Sequence, residues 1–109
     1  MHKEPLISVI IYVKDTSEFL KKCLDTLLFQ IYNNIEIICV YTGSLTEKLT
    51  LLNDYKQKFN KLEILHLPGV NPGKALNEGL KTAQGEYVHF VNSDCWFMLD
   101  LYKIFAEIV

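Results

Sequence analysis

Four short stretches rich in apolar and β-branched residues recur along the chain, and longer stretches with helical spacing separate them. Nearly continuous apolar runs of this length are typical of strands that a parallel sheet buries on both faces. The predicted strands cover residues 6–13, 35–41, 62–67 and 87–91. Because strands and helices alternate throughout, the pattern predicts an α/β fold with right-handed crossovers.

The stretches between the strands carry apolar residues three and four positions apart, which is the spacing of amphipathic helices. The predicted helices run from about residue 16 to 31, 45 to 59, 74 to 84 and 96 to 109. Asp15 with Glu18, and Ser44 with Glu47, have the spacing of capping boxes at the starts of the first two helices. Gly85 is the predicted stop signal of the third helix.

The order βαβαβαβα predicts an open, Rossmann-like parallel sheet with strand order 3-2-1-4 and a switch point between strands 1 and 4. Parallel strands end at one edge of their sheet, and ligands of such sheets bind there. We therefore expect residues 12–15, 41–44 and 92–95 to share one edge. Small residues on the inner face of the third helix, Ala75 and Gly79, predict that it lies close to the sheet.

Composition narrows the classes of function. With 109 residues, 50% of them hydrophobic, the chain suffices for one domain, predicted to span residues 1–109. A net charge of −2 gives no electrostatic support for nucleic-acid binding. No apolar run approaches the ~20 residues of a membrane span, and the first residues lack a signal-peptide pattern. Cys23, Cys39 and Cys95 have no C-x-x-C spacing, which indicates reduced thiols in a cytoplasmic protein, with Cys23 packed in the core.

Three longer stretches and the terminal L-D-L-Y carry a family resemblance. The longer stretches are I-S-V-I-I-Y-V-K-D at 7–15, F-L-K-K-C-L-D-T-L-L-F-Q-I-Y-N-N-I-E-I-I-C-V-Y-T-G-S at 19–44, and A-L-N-E-G-L-K-T-A-Q-G-E-Y-V-H-F-V-N-S-D-C-W at 75–96. Together they resemble, in the same order, the N-terminal half of a family 2 glycosyltransferase of the GT-A fold. The resemblance implies sugar transfer from a nucleotide-diphosphate donor, assisted by a divalent metal, Mn²⁺ or Mg²⁺, that a D-x-D motif holds.

The D-x-D motif of the family falls on Asn92-Ser93-Asp94. The resemblance therefore implies that Asp94 and Asn92 are metal ligands, and that Asn92 and Ser93 line the donor site. Asp94 matches the second, metal-holding carboxylate of the motif. Asn92 replaces the first carboxylate with a neutral amide, whose oxygen still ligates a hard cation.

The other donor-binding positions that the resemblance implies also differ from the family pattern. The paired acidic residues before G-S, where the base and ribose are read, fall on Tyr41 and Thr42. The proline usual after the first strand falls on Tyr12, and the asparagine after it falls on Asp15. Lys74 is either a phosphate-binding residue or an exposed lysine at a helix start, where the N–H groups alone attract anions.

In the family, the acceptor-binding half and its catalytic base follow the D-x-D region. No residue here matches that base, so no catalytic residue is assigned, and we expect a domain that ends after the D-x-D region. We expect its missing half to be supplied by a partner chain, or the chain to form a homo-oligomer. Residues 95–98 are the apolar surface predicted to associate.

Three functions are open on these observations. The first is the donor-binding half of a glycosyltransferase, and the second is a non-catalytic binding or assembly domain derived from one. The third is a thiol mechanism with Cys95 as nucleophile and His66 or His89 as base. A Rossmann dinucleotide site is disfavoured, because no G-x-G-x-x-G follows the first strand. Metal-dependent nucleotide binding distinguishes the first function from the second.

Overall fold

The computed structural model describes residues 4–109 as a four-stranded parallel sheet with four helices. The elements are β1 (Ile7–Val13), α1 (Leu20–Leu28), β2 (Ile35–Tyr41), α2 (Thr46–Lys58), β3 (Leu62–His66), α3 (Pro72–Thr82), β4 (Tyr87–Asn92) and α4 (Leu101–Ile108). The strands lie in the order β3-β2-β1-β4, so the predicted α/β architecture and strand order are confirmed. Within residues 4–109, no helix has the length and apolar character needed to cross a membrane.

The register of the sheet aligns the ends of its strands. β1 lies in the middle, where Val13 is paired with Tyr41 of β2 and Tyr12 is paired with Asn92 of β4. Tyr41 is in turn paired with His66 at the end of β3. The carboxyl ends of all four strands therefore meet at one edge, as predicted.

Alternate residues of β1 build a core on each face of the sheet. Val9 and Ile11 point to the face covered by α1, α2 and α4, where Cys23 and Cys39 are also fully buried. Ile10 points to the other face, where it packs with Ala75 of α3. The predicted core position of Cys23 is confirmed. Burial raises the pKa of the Cys23 thiol to about 12 and raises that of Cys39 further, so neither thiol ionises near neutral pH.

The first helix begins later than predicted. α1 begins at Leu20, because residues 14–17 form a turn in which Lys14 and Ser17 bond to each other. The Lys14 N–H donates to Ser17 Oγ at 3.0 Å, and the Ser17 N–H donates to the Lys14 carbonyl at 3.1 Å. The capping box predicted at Asp15 is wrong, because the Asp15 carboxylate is turned toward the loop that follows β2.

The cap of α2, the start of α4 and both ends of α3 also differ from prediction, and α3 begins at Pro72 rather than near Lys74. Leu45 occupies the cap position of α2 without a side-chain bond, so the capping box predicted at Ser44 is wrong. α4 begins at Leu101 rather than near residue 96. α3 ends at Thr82, and its cap residue Ala83 is extended, so Gly85 does not end the helix. Gly85 instead lies against Ser8 of β1. A Cβ on Gly85 would lie 2.5 Å from Ser8 Oγ, the atom to which its N–H donates at 2.8 Å.

Candidate functional site

The carboxyl edge of the sheet carries three segments that meet around the end of β1. They are the β1–α1 loop (residues 14–19), the β2–α2 loop (residues 42–45) and the β4 tip (residues 92–95). Because β1 lies between β2 and β4, the β1–α1 loop contacts both of the other segments. All predicted site residues except Lys74 lie in these segments or at the strand ends beside them.

Asp15 joins the β1–α1 loop to the β2–α2 loop. Its carboxylate accepts hydrogen bonds from the Tyr41 hydroxyl and from the N–H groups of Ser44, at 3.2 Å, and Leu45, at 3.4 Å. The Tyr41 hydroxyl and these N–H groups, with the charge of Lys48, hold the pKa of Asp15 below its usual value. Asp15 is therefore ionised at neutral pH and lies at the amino terminus of α2, where a negative charge is favoured.

Gly43 and His66 support the contact between Asp15 and Tyr41. A Cβ on Gly43 would lie 1.9 Å from Asp15 Oδ1 and 2.7 Å from Tyr41 Cε1, so only glycine leaves room for this approach. The His66 ring stacks on the Tyr41 ring, with centroids 5.2 Å apart and planes 13° apart. His66 Nε2 also donates to the Gly43 carbonyl at 2.8 Å. Sequence reasoning missed this role of His66, although its position opposite Tyr41 in the predicted sheet was a usable signal.

Tyr12 and Thr42 lie on the other face of the same edge. Tyr12 packs with the smaller core beneath α3, and the Thr42 hydroxyl donates to the Tyr12 hydroxyl at 3.4 Å. Tyr41 belongs to the larger core and has no exposed surface. The adjacent residues Tyr41 and Thr42 therefore point to opposite faces of the sheet, and only Thr42 is partly exposed.

Lys74 lies apart from the other predicted site residues. It is exposed in the first turn of α3, where its N–H donates to Asn71 Oδ1 at 2.9 Å. Among the described residues, no hydrogen bond or ion pair joins the Lys74 side chain to the β1–α1 loop, the β2–α2 loop or the β4 tip. The structure places Lys74 at a helix amino terminus, as both sequence interpretations required.

The β4 tip exposes its outer residues and buries the middle one. Asn92 and Asp94 are exposed, whereas Ser93 between them is fully buried. The Asp94 N–H donates to Asn92 Oδ1 at 3.4 Å, and the Cys95 N–H donates to the Asn92 carbonyl at 3.1 Å. These bonds fold the tip into a tight turn that presents one carboxylate and one amide to solvent.

The β4 tip offers few ligands for a metal ion. Within residues 4–109, no group of three or more His, Cys, Asp or Glu side chains is arranged to hold a metal ion. Mg²⁺ in proteins keeps several waters and is bound by one or two carboxylates together with substrate phosphates. Asp94 with the Asn92 amide oxygen fits a cation shared with a diphosphate, and does not fit a cation held by the protein alone.

The two histidines proposed as bases are both engaged elsewhere. His66 ends β3, which β2 and β1 separate from β4 and therefore from Cys95. His89 lies within β4, and its Nδ1 is 2.9 Å from the Tyr102 hydroxyl. Although Cys95 is exposed, no hydrogen bond in the described part of the chain joins it to either histidine. Neither His66 nor His89 is therefore placed to act as the base of the thiol mechanism.

Two cavities lie at the opposite edge of the sheet. One of about 310 Å³ lies beside Tyr32 and Lys103, and one of about 220 Å³ lies beside Glu36 and Lys61. Ligands of parallel sheets bind at the carboxyl ends of the strands, where helix N–H groups and loop residues converge. We therefore keep the candidate site at the carboxyl edge of the sheet, although these cavities lie at the opposite edge.

Comparison with known proteins was made by sequence and by structure. The family model of glycosyl transferase family 2 matches residues 8–109. Among curated relatives, the putative glycosyltransferase EpsH of Bacillus subtilis (strain 168) is 31% identical over 96 residues, which are 88% of this chain and 28% of EpsH. The poly(ribitol-phosphate) beta-glucosyltransferase of Bacillus spizizenii is 36% identical over 92 residues, or 81% of this chain and 14% of that protein.

Solved structures with similar folds were also found. S. aureus TarS 1-349 in complex with UDP-GlcNAc matches 94% of this chain and 30% of its own, with a TM-score of 0.85 and 29% identity. The mannosyltransferase PcManGT from Pyrobaculum calidifontis, in complex with GDP-Man and Mn²⁺, shares the fold at a TM-score of 0.80 and 19% identity, over 31% of its chain. This chain spans less than a third of the length of each of these four proteins.

Proposed function

The chain belongs to glycosyl transferase family 2, and on that premise we propose that its carboxyl edge binds the nucleotide-diphosphate part of a sugar donor for glycosyl transfer. The observation that carries the proposal is the meeting of the β1–α1 loop, the β2–α2 loop and the β4 tip at one edge. The similarity to TarS, a protein whose structure holds UDP-GlcNAc, supports a uridine nucleotide as the first ligand to test.

Asn92 and Asp94 supply the protein oxygens for a divalent cation, Mn²⁺ or Mg²⁺, in this proposal. Such a cation, when bound, neutralises negative charge on the diphosphate leaving group. Asp94 contributes the charge, and Asn92 contributes a neutral oxygen. Because the pair offers too few ligands for a cation held by protein alone, cation and nucleotide are expected to bind together.

Asp15 takes over the carboxylate role that Tyr41 and Thr42 lack. The Tyr41 hydroxyl holds the Asp15 carboxylate beside the β2–α2 loop, next to the place where the family carries acidic residues. Asp15 is ionised at neutral pH and retains exposed surface, so it can accept hydrogen bonds from a base or ribose. Thr42 and Tyr12 line the other face of this loop, and Lys74 offers a charge to the phosphates from α3.

Sugar transfer requires an acceptor site and a base beyond the residues assigned here. We propose that a second copy of this chain or a partner chain packs against the exposed apolar surface formed by Phe19, Trp96, Met98 and Leu99. Phe19 and Trp96 already contact each other edge to face, with ring centroids 5.6 Å apart. Phe97 instead packs against the core, so it contributes little to this surface.

A non-catalytic binding or assembly domain is the second candidate function. It is favoured by the replacement of three family carboxylates with Tyr41, Thr42 and Asn92. Removing like charges from a ligand site relieves their repulsion, so such a site gains stability while it loses activity. This candidate predicts the same fold and the same association, without metal-dependent nucleotide binding.

Calorimetric titration separates the two candidates. The protein is titrated with UDP, GDP and UDP-GlcNAc, with and without Mn²⁺ or Mg²⁺. Donor binding predicts that the metal strengthens nucleotide binding, and that Asp94→Ala abolishes this strengthening because Asp94 carries the only charge of the motif. Asp54→Ala, which removes the same charge from an exposed position on α2, is the matched control.

Each outcome of this titration is informative. Unchanged metal dependence in Asp94→Ala would show that Asp94 does not hold the metal. Absence of binding under every condition would favour the assembly domain.

A further inference from the structure

We infer that Ser17 is a positioning residue for the metal-ligating pair Asn92 and Asp94, and that it acts through Ser93. This inference rests on the proposed function of the β4 tip. Ser17 lies in the β1–α1 loop, outside every family motif that the sequence displays. It is one of the few buried polar residues in residues 4–109, and its buried partner is the middle residue of the metal-binding motif.

The contact between the two serines is direct. Ser17 Oγ lies 2.5 Å from Ser93 Oγ, although the residues are 76 positions apart in the sequence. Ser17 is 1% exposed and Ser93 is 0% exposed, so water does not compete for this hydrogen bond. A buried hydroxyl pair of this kind costs free energy to break, because neither oxygen can then find a solvent partner.

Ser17 is itself held by two further hydrogen bonds, one within the β1–α1 loop and one from α2. Its Oγ accepts from the Lys14 N–H at 3.0 Å, and its carbonyl accepts from Lys48 Nζ of α2. In the bond between Ser17 Oγ and Ser93 Oγ, either hydroxyl can donate. The Ser93 N–H donates to the Tyr12 carbonyl at 3.3 Å, so Ser93 is fixed through both its backbone and its side chain.

Fixing Ser93 inward determines where its neighbours point. Asn92 ends β4, and Ser93 and Asp94 form the turn that follows it, so the position in which Ser93 is held sets the directions of the residues on either side. In this turn, Asn92 and Asp94 are exposed on either side of buried Ser93. A small hard cation demands near-ideal octahedral geometry, so a loosened tip would hold its two oxygens less effectively.

A purely structural role for Ser17 can be separated from this one by comparison with a buried serine in β1. Ser8, at the opposite end of β1, is also fully buried and forms a similar hydroxyl network. Its Oγ bonds the Glu36 carboxylate and accepts from the Gly85 N–H at 2.8 Å. Ser8→Ala therefore removes a comparable buried hydroxyl at the edge of the sheet that is remote from the β4 tip.

The experiment compares Ser17→Ala, Ser93→Ala, the double variant and Ser8→Ala. Affinity for UDP is measured by calorimetry with and without Mn²⁺, and the free energy of unfolding is measured by urea denaturation. Removing a residue that orients metal ligands lowers metal affinity by about 10- to 100-fold. We expect Ser17→Ala and Ser93→Ala to weaken the Mn²⁺-dependent part of UDP binding by that factor, and Ser17→Ala to leave metal-free UDP affinity unchanged.

Two further results are expected from the same set. The double variant should lose no more Mn²⁺ dependence than either single variant, because both substitutions break the same bond. Ser8→Ala should lower stability and keep the full Mn²⁺ dependence. A Ser17→Ala protein with full Mn²⁺ dependence, or an equal loss in Ser8→Ala, would overturn the inference.

A second measurement tests Ser17 independently of the proposed function. Backbone and Asn92 side-chain amide resonances of the metal-free protein are recorded by NMR in Ser17→Ala and in Ser8→Ala. Ser17→Ala should lower the order parameters of residues 92–95, and Ser8→Ala should leave them unchanged. If the wild type shows no Mn²⁺-dependent binding, the proposed function fails, while an unaltered β4 tip in Ser17→Ala would refute the positioning role.

Discussion

Asp15 carries a negative charge that four groups around it stabilise, and the Tyr41 hydroxyl is the strongest of them. The carboxylate accepts from the N–H groups of Ser44 and Leu45, just before α2, and the Leu45 N–H also donates to the Tyr41 hydroxyl at 2.7 Å. One side chain therefore binds the loop before a helix that does not follow it in sequence, and it also restores a carboxylate to the candidate donor site.

Tyr41→Phe is expected to raise the pKa of Asp15 toward its ordinary value, because it removes the main hydrogen bond to the ionised form. Carboxyl carbon NMR followed during acid titration measures this directly. Tyr55→Phe is the matched control, since the Tyr55 hydroxyl lowers the pKa of Asp25 in the same way. UDP affinity should fall in Tyr41→Phe alone. Equal titration of Asp15 in the wild type and Tyr41→Phe would contradict this account.

Individual residues divide into those that the sequence could assign and those that it could not. The positions of Asn92 and Asp94 at a strand end followed from the apolar run before them, and the structure places them there. Ser17 and Gly43 gave no such signal, because a serine or glycine in a loop acquires its role from residues far away in sequence. Asp15 was predicted to cap α1, but it bonds the β2–α2 loop instead. Spacing along the sequence does not show which N–H groups a carboxylate reaches.

At the scale of elements, α3 packs against the sheet through Gly79. A Cβ on Gly79 would lie 2.8 Å from Ile10 Cγ2 and 3.1 Å from Val40 Cγ2, so the helix backbone touches the strands almost directly. The predicted close approach of α3 is therefore confirmed. The start of α3 is equally well fixed, because Asn71 caps it and Pro72 occupies its first position.

Gly79→Ala should destabilise the protein by about 1–3 kcal/mol, because the added methyl group overpacks the contact between α3 and β1. Urea denaturation measures the change in the free energy of unfolding. Gly73→Ala is the control on the same helix, since its Cβ would meet only Asn71 Oδ1 at an ordinary 3.6 Å. That variant should be neutral or more stable by up to about 1 kcal/mol. Similar losses in both variants would contradict the packing account, because helix propensity favours alanine over glycine at both positions.

His89 couples β4 to α4 and makes their contact sensitive to pH. Burial lowers the pKa of His89, so the folded state keeps this histidine neutral, with Nδ1 bonded to the Tyr102 hydroxyl. The unfolded chain takes up the proton at the ordinary pKa of about 6.5. Stability from this residue is therefore complete above that pH and falls as the pH drops through it toward the lower pKa of the folded state.

We expect the free energy of unfolding to decrease between pH 7.5 and 5.5, and the decrease to be smaller in His89→Gln. Denaturation of both proteins across this range provides the measurement. A pH dependence of the same size in His89→Gln would assign the effect to other groups.

The elements themselves and the bounds of the strands were largely predictable, whereas several helix bounds were not. Buried parallel strands show as apolar runs, so β1 to β4 were located within a residue at their starts. Helix starts depend on which polar groups reach the first N–H groups, and that competition is decided in three dimensions. α1 begins at Leu20 and α4 at Leu101 because loop residues before them bond to other parts of the fold.

At the scale of the whole molecule, the exposed apolar surface around Trp96 and Met98 lies beside the candidate site. Lys22 Nζ lies 4.0 Å from the centroid of the Trp96 ring, which fixes that ring on the surface. The Met98 backbone is held by Gln30, whose side-chain amide donates to the Met98 carbonyl at 2.6 Å. The backbone beneath this surface is therefore anchored, and a change of the Met98 side chain alters the surface without disturbing the fold.

Met98→Glu tests whether this surface mediates association. We expect the wild type to sediment as a dimer at micromolar concentrations and Met98→Glu to shift toward the monomer, because a buried unpaired charge opposes the contact. Ile108→Glu introduces the same charge at an equally exposed position, since both side chains are 76% exposed, near the far end of α4. That control should remain dimeric. If the wild type stays monomeric at all concentrations, a second copy does not cover this surface, and a different partner chain remains as its occupant. Equal dissociation of both variants would show that the dimer contact lies elsewhere.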